Sequence, residues 1–152
     1  MAQTIYKNDP VVLMNTGKLE PAAAGEAIYG VFHGVQYNDS NGRPQFSSVW
    51  VSGTVATNII AYVYRDTAIV YEIQCNSNFS VADIGANCEI VYTSGTTIAG
   101  GYSRVQAQSD FEASAKQLRV IDMVRRADNE SGTNAKILVR LNEHFLSTAD
   151  GV

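Results

Sequence analysis

Residues 58–75, NIIAYVYRDTAIVYEIQC, decide the fold class of this chain. Two apolar runs rich in β-branched and aromatic residues meet there at Arg65, Asp66 and Thr67. A strand turns alternate side chains to opposite faces, so Ile60, Tyr62 and Tyr64 share one side of the first run. Ile69, Tyr71, Ile73 and Cys75 share one side of the second, and the spacing predicts a hairpin. The other face of the first run, Ile59, Ala61 and Val63, is apolar as well. That strand therefore either lies deep in a sandwich or barrel or offers one face to another chain.

Working outward, residues 27–37, AIYGVFHGVQY, read as the preceding strand, with Gly30 and Gly34 on the same face as Ile28, Phe32 and Gln36. Two glycines on one face predict a bend or a close backbone approach. Asn41-Gly42 with Pro44 close behind marks a turn into a short strand over 46–51. That strand carries Trp50, the only tryptophan, whose expected task is to fill core or interface. Beyond the central stretch, Ser80 and Asp83 have capping-box spacing and Gly85 is placed to end a single helical turn. Residues 90–92 read as a short strand. Residues 93–101 are a Thr, Ser and Gly loop lacking the spacing and lysine of a phosphate cradle. Residues 109–126 carry two patterns, and we divide them into a helical turn over 110–115 and a strand over 117–125. A turn cluster at 128–134 leads to a last strand over 136–141 with Ile137, Val139 and Leu141 inward.

Upstream, residues 1–26 place Pro10 and Pro21 around one apolar run, and both prolines discourage helix. They read as an extended arm, able either to add a strand to a partner's sheet edge or to stay frayed with one short edge strand. The expected architecture is mainly β: a compact antiparallel β-barrel or sandwich with one or two single-turn helices. The arm spans 1–26 and the β domain 27–152.

A chain of 152 residues suits one domain. Its charged fraction of 17% is low, its net charge is -4 and it has no run of Lys or Arg, so direct nucleic-acid binding is not expected. No apolar run reaches the ~20 residues of a membrane span, and the N-terminus lacks the basic start and apolar core of a signal peptide. The expectation is a soluble protein made in a cytoplasm, with no membrane partner. In that compartment Cys75 and Cys88, the only cysteines, read as small buried hydrophobes. The N-x-S triplets at Asn38, Asn78 and Asn129 then read as turn residues.

Catalytic patterns do not assemble. His33 and His144 are the only histidines, and neither has a partner at metal-ligand spacing. No nucleophile elbow occurs, so neither catalysis nor a metal or cofactor is expected, and residue chemistry alone gives a structural or binding module. What stands out is tyrosine, eight in all, with Tyr29, Tyr37, Tyr62, Tyr64, Tyr71 and Tyr92 on predicted strands. Such side chains suit interfaces, apolar in body and wet at the rim, or an ordinary core whose phenols reach water, and we favour the interface. The candidate partner-binding residues are Val11, Val12, Leu13 and Met14 in the arm, with Trp50, Tyr62 and Tyr64.

The ordered blocks GEAIYGVFHGVQYNDSNGRPQFSSVW, TAIVYEIQC, VADIGANCEIV and LRVIDMVRRADNESGTNAKILVRLNEH, over residues 25–144, resemble the head decoration, or cement, proteins of tailed bacteriophages. The resemblance implies a non-catalytic virion protein on the outer capsid surface, commonly a homotrimer, that stabilises the shell by bridging neighbouring major capsid protein subunits. The arm would then be a clasp on the shell and the Tyr-bearing strands trimer contacts. The alternative from another class is a carbohydrate-binding or host-adhesion module of the virion, with Trp50 and exposed tyrosines stacking on sugars.

Overall fold

A computed structural model describes residues 1–93 and 101–147. The interior of the loop expected at 93–101 lies outside the described residues. The fold is mainly β and sandwich-like, and it is not a closed barrel. Sheet I is built from β1 (Pro10–Leu13), β2 (Leu19–Pro21), β3 (Gly30–Asn38), β4 (Pro44–Ser47) and β5 (Thr57–Tyr64). All its pairings are antiparallel. β3 is central: β5 runs along one edge, while β1 and then β4 share the other, and β2 flanks β1. After β6 (Tyr71–Gln74), β7 (Asn78–Phe79), β8 (Asn87–Cys88), β9 (Ile90–Val91) and β10 (Gln106–Ala107) come β11 (Leu118–Met123), β12 (Gly132–Thr133) and β13 (Lys136–Leu141). Sheet II has the order β6-β13-β11-β8, and β9 with β10 and β7 with β12 form short ribbons beside it.

The hairpin expected over 58–75 does not form. Its first run is β5, paired only with β3 in sheet I, and its second is β6, paired with β13 in sheet II. Residues 65–70 carry the chain from one layer to the other. Both runs have the side-chain period of a strand, but period alone does not say which neighbour supplies the hydrogen bonds. The glycines act as expected, by close approach. A Cβ on Gly30 would stand 2.4 Å from the Tyr64 carbonyl oxygen, and one on Gly34 3.0 Å from Phe46 Cζ. They do not share a face. The ladder between β3 and β5 steps from Phe32 opposite Val63 to Gly34 opposite Tyr62, so His33 is an extra residue on β3. Such a bulge reverses the alternation that a uniform strand would keep.

Two cores result. Ile5, Val11, Leu19, Phe32, Val35 and Trp50 fill one side of sheet I. Val12, Ala22 and Ile28 on its other side join Cys75, Ile90, Leu118, Ile137 and Val139 of the sheet II region. Ile137, Val139 and Leu141 point inward as expected, at 0, 1 and 8% exposure. The backbone of residues 1–26 is extended, as expected of the arm, and is folded into the body. Ile5 exchanges both main-chain hydrogen bonds with Trp50 at 2.9 Å, and Phe32 N–H donates to the Asp9 carbonyl at 2.8 Å. Gln117, fully buried on the approach to β11, then locks the segment in place: its Nε2 donates to the carbonyls of Ala23 (2.7 Å) and Glu26 (2.8 Å), while its Oε1 accepts from Ile90 N–H (3.1 Å).

One helical turn is present among the described residues, Val81–Asp83, with the expected reciprocal capping box of Ser80 and Asp83. The turn expected over 110–115 is absent. Glu112 instead exchanges main-chain hydrogen bonds with Asn87, at 2.8 and 3.0 Å, and Lys116 draws the side chains of Asp110 and Glu112 together. A pairing partner from another part of the chain wins over a short local helix that has no apolar face to bury.

Candidate functional site

Sheet I buries most of one face, leaving Ile59 near the start of β5 42% exposed, and buries the other only in part. Sheet II covers the second face around β1 and the start of β3, where Val12 and Ile28 enter the shared core. Beyond the bulge at His33 that face has no cover among the described residues. It carries Gly34 and Gln36 on β3, Phe46 on β4, and Ile60, Tyr62 and Tyr64 on β5. Phe46 is 63% exposed, Ile60 53%, Tyr64 46% and Tyr62 41%.

The side chains are ordered by one another. Gly34 leaves room for the Phe46 ring, which lies 5.9 Å centroid to centroid from Tyr62. The Tyr62 hydroxyl donates to Gln36 Oε1 at 2.9 Å, and the Tyr64 hydroxyl is 3.1 Å from His33 Nδ1 with the rings 5.0 Å apart. Polar ends are thus satisfied within the chain, and ring faces and the Ile60 side chain are what a partner would meet. No Asp, Glu, Lys or Arg lies among these residues, so covering them would strand no charge. With about 200 Å² for a large side chain the bare apolar area is roughly 400 Å², the size at which a surface patch is commonly functional. At its Tyr64 end the face runs into a cleft of about 920 Å³ between the sheets, lined among others by Val31, Ile69, Val70, Tyr71 and Ile73.

The sequence candidates divide. Tyr62 and Tyr64 lie on this face. Val11, Val12 and Trp50 do not: their exposures are 0, 7 and 3%, and Trp50 Nε1 donates to the Met1 carbonyl at 3.2 Å. All three serve the interior in the folded chain, Leu13 is half-buried and Met14 is exposed in the turn before β2. Phe46 was missed as a site residue because only the β3–β4 register, with Gln36 opposite Phe46, brings it beside Tyr62. His33 joins the face through the bulge. His144 is fully buried, accepts from Leu146 N–H through Nδ1 at 3.0 Å, and is held below the usual imidazole range by burial and then by the Arg65 charge. Cys75 and Cys88 are buried free thiols, pushed up by burial to about 11 and about 12. Among the described residues no group of three or more His, Cys, Asp or Glu is placed to hold a metal, and no helix is long and apolar enough to cross a membrane.

Comparison with known proteins gives no match: no family model, no curated protein and no solved structure is similar to this chain.

Proposed function

We propose that the chain is a non-catalytic virion structural protein that decorates a phage head and stabilises it by bridging major capsid protein subunits. Two supports stand behind this reading, the resemblance of its sequence blocks to head decoration proteins and the bare face of Phe46, Ile60, Tyr62 and Tyr64. The face carries it. A rigid sheet surface, uncharged and with its hydroxyls already bonded, suits a flat protein surface better than a small polar ligand. The carbohydrate-binding alternative loses its tryptophan, since Trp50 is buried.

Magnitude also favours a repetitive target. Covering roughly 400 Å² at about 25 cal/mol per Å² yields about 10 kcal/mol gross, and association alone costs about 4–15 kcal/mol. One face therefore gives modest affinity, and firm attachment needs several contacts made together, as on a shell of repeated subunits. The test is to mix the protein with undecorated heads. Uptake should saturate and raise the temperature at which heads open. A Phe46→Ser/Tyr62→Ser variant should melt close to the wild type and lose most uptake. Equal uptake by that variant, or binding to a glycan array in place of heads, overturns the reading.

A further inference from the structure

β5 has a second unsatisfied feature besides its face. Its backbone pairs with β3 on one side only, so along Thr57–Tyr64 the other edge is open among the described residues. Proteins blunt such edges with short strands, prolines, bulges and charges, because an open row of N–H and C=O groups templates pairing with another chain. The other edges here are blunted. β2 has three residues and ends in Pro21, β4 has four and begins with Pro44, β8 has two, and β6 has four and continues into a bridge from Cys75 to Ala107. β5 is eight residues long, TNIIAYVY, with no proline and no charge, and its start is bulged: Gln36 faces Ile60 but Asn38 faces Thr57, and Asn58 has φ 52°. Beyond the bulge, residues 60–64 are the longest regular open edge among the described residues.

We propose that this edge is a contact between two copies of the chain: β5 of one subunit pairs antiparallel with β5 of another about a twofold axis. A second copy fits for three reasons. An antiparallel pair of identical strands is self-complementary, so one patch serves both subunits and the contact closes at two. The edges left outside the joined sheet are the short, proline-bearing β2 and β4, which stops further growth. The strand's β-branched and aromatic residues supply favourable cross-strand pairs and, being neutral, set no like charges opposite each other in a chain of net charge -4.

Size sets the strength. The regular edge over residues 60–64 is a strip about 17 Å by 10 Å, which amounts to roughly 340 Å² buried over both copies. That is below the roughly 1,200–2,000 Å² of stable complexes, so the pairing is weak and concentration-dependent in free solution. It also leaves the aromatic face uncovered and joins two such faces on one side of a continuous sheet. Two linked faces on one surface would bind a repetitive target far more firmly than one. The proposal concerns self-association, and its test uses the protein alone, separately from any binding to heads.

Sedimentation equilibrium of the full chain up to about 1 mM, the concentration that a weak pairing of about -4 kcal/mol requires, should show the mass rising from one copy toward two. Hydrogen exchange at about 1 mM, where roughly half of the chains are paired, should slow the outward amides of β5 about twofold relative to dilute protein, since they open only in the monomer. Ile59→Lys places a charge at an exposed position on the edge and should hold the mass at one copy with an unchanged far-UV spectrum. Asn15→Lys, in the exposed turn before β2, is the control and should pair like the wild type. A constant mass of one copy, a mass of three copies, or wild-type pairing by Ile59→Lys each overturns the twofold contact, and each is read on the protein alone, so that failure to pair is distinguished from failure to bind heads.

Discussion

Removing residues 2–24 tests the most consequential difference between an arm and a core segment. The deletion takes away Ile5, Val11, Val12 and Leu19, exposed by 0, 0, 7 and 8%. At about 1.5–3 kcal/mol for each fully buried aliphatic side chain their burial is worth roughly 6–12 kcal/mol. A domain of this kind has only about 5–15 kcal/mol of net stability, so the truncated chain should not fold. Trp50 and Phe32 would lose their cover, and one of the two carbonyls bonded to Gln117 Nε2 would be gone. Ile5→Ala grades the same effect. It should cost about 2–5 kcal/mol for a fully buried isoleucine, lowering the melting temperature by roughly 4–20 °C at about 2–4 °C per kcal/mol. Near-UV circular dichroism, which reports the packing of Trp50, and thermal melts are the assays. A truncated chain with a cooperative melt within a few degrees of the full chain would refute the reasoning and restore residues 1–26 as a separable arm.

Three further outcomes are expected. Gly30→Ala drives a Cβ to 2.4 Å from a backbone oxygen and should cost about 1–3 kcal/mol or more by urea melt, whereas Gly34→Ala meets the exposed end of Phe46 at 3.0 Å, as well as the Ser47 carbonyl, and should cost less; the reverse order would disprove the close approach of β5 to β3. Gln117→Leu keeps the volume but strips partners from Ala23, Glu26 and Ile90, so at about 1–3 kcal/mol for each buried group left unpaired it should lose at least about 3 kcal/mol; a neutral melt would show that the lock is ornamental. Cys75 and Cys88, pushed up by burial to about 11 and about 12, should resist a disulfide reagent at pH 8 until the chain is unfolded. Their folded values lie above the unfolded ones, so their contribution to stability is full below about pH 8.5 and declines as pH rises toward 11–12. Melting temperature should fall over that interval and fall less in a Cys75→Ala/Cys88→Ala variant; fast labelling of the native protein would contradict the burial.

Local sequence marked the longer strands and some of the turns, but not the two-residue strands β7, β8, β10 and β12 or the pairing that replaces the turn expected over 110–115. β-branched and aromatic alternation marked β3, β5, β6, β11 and β13, the Asn-Gly pair marked the turn before β4, and Ser80 with Asp83 marked the one helical turn, since each of these rests on neighbours within a few residues. Partner choice did not follow, because a strand's hydrogen bonds are satisfied by whichever edge the whole fold brings alongside. Only the tertiary structure sent the two halves of residues 58–75 to different sheets, reversed the faces of β3 through the bulge at His33, and took Val11, Val12 and Trp50 inside. The same placement left Phe46, Ile60, Tyr62 and Tyr64 bare. Whether an apolar side chain becomes core or contact surface depends on how far the opposite layer extends, and sheet II stops short of that end of sheet I.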